Sequence, residues 1–190
     1  MTYNKSLYRI GYLSRLPLKT PYPGVVEAIR RIIGRLPRGT DLVVDFTGVG
    51  RGIFDLLVDH GLNPTGVTMT GGIEVHRNGS ISSVPKSTLV SKLVAKVHSG
   101  ELVVHGDLSD WPALKRELLN FRSEVTGAGN ETWNSRSGEH DDLVIATALC
   151  VWGPRRRCDP VRWLVAVLCY GGRRNRERAF LRRRRPRASG

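Results

Sequence analysis

A chain of 190 residues, 40% of them apolar, is long enough for one domain with its own core, and no stretch reaches the ~18 to 20 apolar residues that span a bilayer. The net charge of +13 invites a polyanionic partner but is unevenly placed: residues 153–190 hold 13 Arg, no Lys and two acids, while the rest carries 17 basic and 15 acidic groups. The opening MTYNKSLYRIGY has no signal-peptide pattern, and Cys150, Cys158 and Cys169 suit neither a disulfide framework nor a metal-ligand spacing, so the expectation is a cytoplasmic protein.

LYRIGYLSRL (7–16) alternates loosely, as a strand does. TPYPG is turn chemistry, with its second proline placed near the first turn of a helix. In VVEAIRRIIGRL (25–36), Val25, Ile29, Ile32, Ile33 and Leu36 share one helical face. DLVVDF (41–46) reads as a short buried strand, and RGIFDLLVDHG (51–61) as a helix closing on a glycine. PTGVTMTGG gives another strand, and IEVHRNGSISSV a hairpin turning at Asn78-Gly79. STLVSKLVAKVHSG (87–100) is a helix with Ser87 as its N-cap and Gly100 as its stop. ELVVHG is a strand, DWPALKRELLNFRSEV (110–125) an amphipathic helix, and TGAGNETWNSRSGEH a polar loop. DDLVIATALCVWG is a last helix with acids in its first turn.

Helices and strands alternate from residue 25 to 152, which makes the body α/β. Residues 153–190 read as a separate Arg-rich tail, low in complexity and disordered, with one apolar run of about ten residues. Its first arginines, Arg155, Arg156 and Arg157, are candidate phosphate contacts. The plainer reading of the tail is a solvated segment with no dedicated partner.

Asp45 ends a strand, and Gly48, Gly50 and Gly52 follow it at alternate positions before a helix. That order resembles the first motif of S-adenosylmethionine-dependent methyltransferases. A dinucleotide fingerprint fits less well, because its third glycine would fall one position later and no acid closes the next strand. The alternative is a strand that delivers one carboxylate to a metal centre. Hard Mg²⁺ or Mn²⁺ ions want carboxylates from separate parts of the chain, and a second source is GEHDDLVIATALC, with His140, Asp141 and Asp142 ahead of an apolar helix. Taken singly, such acids are more often helix caps and turn residues.

VDFTGVGRGIFDLL, VTMTGG, VPKSTLVSKLVAKVHSGELVV, LKRELLNF and EHDDLVIATALCVW follow in an order that resembles the C-terminal nuclease domain of the large terminase subunit of tailed phages. The resemblance covers roughly residues 7–152. It implies an RNase H-like fold and a metal-dependent endonuclease that cuts double-stranded DNA during genome packaging. It implies a two-metal site for Mg²⁺ or Mn²⁺, and the portal and small terminase subunit as partners. By resemblance Asp45 takes the place of the second active-site acid, and Asp141, Asp142 or both take the place of the third. His140 and Lys86, in the VPK segment, become candidates to contact phosphate or orient a ligand, against their plainer reading as surface polar residues. The three glycines then have a packing role, letting the helix start tight against the strand.

The chain departs from that pattern at both ends. No Leu-Asp-x-Gly strand supplies a first acid, and no Gly-x-x-x-x-Gly-Lys-Ser/Thr supplies an ATPase loop. The expectation is therefore an incomplete RNase H-like sheet lacking its first two strands, with the strand at 8–16 short of a neighbour and the strand at 41–46 left with an open edge. The switch to arginine-only basicity after Trp152-Gly153 looks like a change of reading frame. A degenerate prophage remnant is one expectation and an active nuclease another. A methyltransferase and a DNA binder acting through its Arg tail stand as alternatives.

Overall fold

The computed structural model describes residues 7–17, 19–48, 50–125, 131–135, 141–153 and 161–168, with the side chains of 122–125, 131–135 and 161–168 excepted. Strand β1 (Leu7–Arg15) is followed by helix α1 (Tyr22–Ile33), β2 (Leu42–Asp45), α2 (Gly50–Asp59) and β3 (Pro64–Thr70). The hairpin β4 (His76–Asn78) and β5 (Ile81–Pro85) leads into α3 (Lys86–His98), β6 (Leu102–Val104) and α4 (Trp111–Asn120). The pair β7 (Phe121–Val125) and β8 (Glu131–Ser135) precedes α5 (Asp142–Trp152) and β9 (Val161–Leu168).

The strands form a sheet ordered β6-β1-β9, a sheet ordered β2-β3-β5-β4, and the separate ribbon β7-β8. β2, β3 and β5 run parallel, with Asp45 level with Val67 and Val67 level with Ser82, and β4 closes the sheet antiparallel. Their carboxyl ends, and the residues that follow, therefore share one sheet edge, which is where ligands bind in open parallel sheets. Among the described strands β2 stands at the edge of its sheet, as expected of a strand with an open edge. β1 is not short of neighbours: β6 pairs with one side and β9 with the other, both parallel. Val161–Leu168, read from the sequence as part of the tail, supplies that second neighbour.

α5 is the central helix. It packs against α3, α4, β2 and β9, and Leu143, Val144, Ile145, Thr147, Ala148, Leu149 and Val151 are all buried. Such all-round burial is what an Ala/Leu/Val-rich helix with few polar residues requires. Thr147, its one fully enclosed hydroxyl, donates to the Leu143 carbonyl at 2.8 Å. A smaller cluster of Val25, Val26, Ile29, Ile53 and Leu57 joins α1 to α2.

Several boundaries differ from the sequence reading, for local reasons. α1 starts three residues early because Pro23 sits in its first turn with Pro21 at the cap. α3 is capped by the extended Pro85 with no side-chain cap, so Ser87 lies inside the first turn and is not the N-cap. Gly100, at φ +67°, is the stop: its N–H donates to the Val97 carbonyl at 3.1 Å, and that of Glu101 to Lys96 at 3.0 Å, a Schellman pair. α4 ends at Asn120, because Phe121 turns to extended backbone and starts β7. Residues 131–135, read as loop, are the antiparallel partner of that strand.

Candidate functional site

β2 delivers Asp45 to the carboxyl edge of its sheet, and the turn after it is pinned at three points. The Thr47 N–H donates to Asp45 Oδ1 at 2.8 Å. Thr47 Oγ1 accepts from the Met69 N–H at 3.1 Å, and the Phe46 N–H donates to the Val67 carbonyl at 2.8 Å. Such an Asx turn holds the carboxylate in one orientation. The glycines divide their work. Gly48 takes φ +59°, which L side chains rarely adopt. Gly50 is buried at the start of α2, where an added Cβ would come within 1.8 Å of the Asp45 carbonyl oxygen. At Gly52 it would come within 3.1 Å of the Tyr22 ring. Gly50 therefore serves strand-helix packing, as the terminase-like reading expects, whereas Gly48 answers the backbone demand of the turn and Gly52 makes room for the Tyr22 ring of α1.

The N-terminus of α5 carries the other acids. Asp142 is its first helical residue, Asp141 sits at the cap position, and the Asp141 carbonyl accepts from the Ile145 N–H at 2.9 Å. Asp141 is buried, and Lys86 reaches it from the start of α3, placing Nζ 2.7 Å from Oδ2. The Lys86 ammonium also lies 5.6 Å from the centre of the Phe121 ring. Lys86 is thus bound to a candidate acid, and its surface reading is replaced by a half-buried ion pair.

A further acid, Glu117 on α4, went unnoticed in the sequence. Its carboxylate accepts from the first amides of α5, Leu143 at 2.8 Å and Val144 at 3.1 Å, and pairs with Arg15 at the end of β1. The Arg15 N–H in turn donates to Asp110 Oδ2 at 2.9 Å. Glu117 caps α5 from outside the helix, supplying the acceptor that helix N-termini require. Burial pushes its carboxyl above the usual range, against the pull of the Val144 and Leu143 amides and of Arg15. One sequence signal was available: Glu117 falls three residues after Leu114 and four before Phe121, on the apolar face of an amphipathic helix.

Asp45, Asp141 and Asp142 have the oxygen chemistry that Mg²⁺ or Mn²⁺ prefers. Among the described residues, however, no group of three or more His, Cys, Asp or Glu side chains lies close enough together to hold a metal ion. That arrangement does not make a two-ion centre. It remains compatible with one Mg²⁺, which commonly uses one or two carboxylates and keeps its waters. His140 and Arg155, Arg156 and Arg157 lie outside the described residues. No helix among the described residues is long and apolar enough to cross a membrane.

No family model matches the chain. It is 31% identical over 108 residues to the terminase large subunit of Thermus phage G20c, a stretch covering 57% of this chain and 19% of that protein. The chain thus spans about a fifth of the relative's length. The fold matches that of the large terminase nuclease from thermophilic phage G20c with bound cobalt, with a TM-score of 0.53 and 25% identity over 70% of this chain and 62% of that one. The same nuclease with bound magnesium matches in fold with a TM-score of 0.53, at 24% identity over 70% of this chain and 61% of that one. The chain is a distant homologue of the terminase large-subunit nuclease domain of phage G20c, in sequence and in structure.

Proposed function

We propose that this chain is a terminase-type nuclease domain that cuts double-stranded DNA endonucleolytically, using a divalent metal for which Asp45, Asp141 and Asp142 are the candidate acids, one or two of them serving as ligands. The observation that carries the reading is the delivery of acids by two separate elements, an ordered strand-end aspartate and the capped start of the central helix, in a fold shared with a metal-bound terminase nuclease. Mg²⁺ or Mn²⁺ would supply the Lewis acidity that phosphodiester hydrolysis needs. The chain's own part is to hold its acids: Thr47 fixes the Asp45 carboxylate, Glu117 fixes the backbone that carries Asp141 and Asp142, and Lys86 fixes the Asp141 side chain. His140 and Arg155, Arg156 and Arg157 complete the reading as phosphate contacts, their charge suited to a duplex backbone. A role in genome packaging, with portal and small-terminase partners, rests on the homology alone.

Nicking of supercoiled plasmid in Mn²⁺ is the test. Asp45→Ala should lower the rate by roughly a hundredfold while leaving the folded state intact. A folded Asp45→Ala protein that nicks at the parent rate would sink the assignment. Cleavage retained in excess chelator would sink the metal dependence.

A further inference from the structure

Arg51 lies in the first turn of α2, directly after the buried Gly50, and its side chain is exposed. A positive charge there opposes the helix dipole, so α2 itself gives no reason for an arginine. Asp55 stands one turn further on, yet among the described residues Arg51 forms no ion pair. A ring holds it instead. The guanidinium carbon is 5.3 Å from the centre of the Phe46 ring, which meets Phe54 of α2 edge to face at 5.0 Å. A guanidinium resting on a ring keeps its fork of N–H donors for oxygen acceptors.

Gly52 brings a second polar group to the same place. The space left by its missing Cβ is taken by the ring of Tyr22, the first residue of α1, which is 39% exposed. Among the described residues the Tyr22 hydroxyl makes no hydrogen bond. An ammonium-like charge and a neutral hydroxyl donor thus flank the start of α2. Their place relative to Asp45 follows from the sheet. Asp45 is level with Val67, which belongs to the core beneath α5, and paired residues share a face. Phe46 turns the other way, with its ring against Gly66 and Phe54 on the α2 side. Arg51 and Tyr22 therefore stand across the sheet edge from Asp45. From there they meet a duplex lying over the edge at a phosphate other than the one beside the acids.

We propose that Arg51 and Tyr22 form a contact for the sugar-phosphate backbone of double-stranded DNA, holding it on the α2 side of the sheet edge. Both donors address phosphate oxygens, so the contact positions the duplex without reading its sequence. Gly52 serves it by letting the Tyr22 ring lie this close to Arg51. The inference rests on the nuclease reading above and deepens it, since it gives the substrate a place on the molecule.

The test is the affinity of the full chain for a short DNA duplex, followed by fluorescence anisotropy in excess chelator over a series of salt concentrations. Arg51→Gln should bind about tenfold more weakly, and the slope of log affinity against log salt should fall by about 0.9, the share of one phosphate. Arg51→Lys should keep the parent slope. Tyr22→Phe should bind about fivefold more weakly at an unchanged slope, since the lost donor carries no charge. Arg35→Gln, beyond the far end of α1, should match the parent. Arg51→Met replaces the glutamine variant should thermal unfolding show that one to be unfolded. A folded Arg51→Gln protein with the parent slope would overturn the inference. So would Tyr22→Phe at the parent affinity, or an Arg35→Gln loss as large as that of Arg51→Gln. Plasmid nicking in Mn²⁺ separates the two readings. A parent that nicks, with a slope indifferent to Arg51, keeps the nuclease reading and loses this contact. A parent that does not nick, with a slope lowered by Arg51→Gln, keeps the contact and loses the nuclease.

Discussion

Gly50→Ala should lower the unfolding free energy by about 3 kcal/mol, the upper end of the cost of overpacking a filled interior. Alanine is ordinarily the better helix residue, by about 1 kcal/mol in an exposed helix. Here the new methyl group would stand 1.8 Å from the Asp45 carbonyl oxygen, a backbone atom that no side-chain rotation can clear. Either α2 moves off β2, or the strand end shifts and takes the Asp45 carboxylate with it. The variant should therefore lose nuclease activity as well as stability. Urea unfolding followed by circular dichroism measures the first, and plasmid nicking the second. Gly48→Ala is the useful companion, since an added Cβ there meets nothing within 4 Å and only the φ of +59° opposes it. It should cost about 1 kcal/mol. Equal losses in the two variants would mean that turn strain, and not the close approach of helix to strand, sets the requirement for glycine.

Glu117→Ala should cost a similar amount, about 3 kcal/mol, by a different route. It strips two amides at the start of α5 of their acceptor and leaves Arg15 without its buried carboxylate. Glu117→Gln keeps an amide oxygen for the helix and should cost about 1 kcal/mol. The two differ in pH dependence as well. Burial raises the native carboxyl above the usual range, so the native state holds the proton to higher pH than the unfolded chain does. The stability this group contributes is greatest in acid and is lost as pH rises through the raised native value. Unfolding free energies of parent and glutamine variant, measured from acid to neutral pH, should show that slope in the parent alone. A parent and variant with parallel profiles would mean that Glu117 keeps its ordinary affinity for protons, with its helix and arginine partners offsetting burial.

The sequence made the alternation of the body legible because its local signals agreed with the tertiary outcome. The glycine at 61 shows this: it takes φ +74° and closes α2 by accepting the backbone form that other residues resist. Asp45 and the acids of α5 were readable from position alone, one at a strand end and two at the start of an apolar helix. What failed had non-local causes. Phe121 to Val125 continues a helical pattern until residues 131–135 offer it a backbone partner. Val161–Leu168 is an ordinary apolar run whose role depends on β1, some 150 residues earlier. The ion pairs Lys86–Asp141 and Arg15–Glu117 join residues 55 and 102 positions apart, and no spacing rule connects them.

The pairing of β1 with β9 has a kinetic side. Leu7 lies beside Val161 and Arg15 beside Leu168, so one edge of the first strand is completed only after nearly the whole chain has been made. At the usual 5–20 residues per second, that edge waits on the order of ten seconds or more on the ribosome, while the other can be covered once β6 has emerged. Contacts of such sequence separation are slow to form even in the finished chain. Crowded expression should therefore favour pairing of this edge with another nascent chain, and dilute expression should raise the soluble yield.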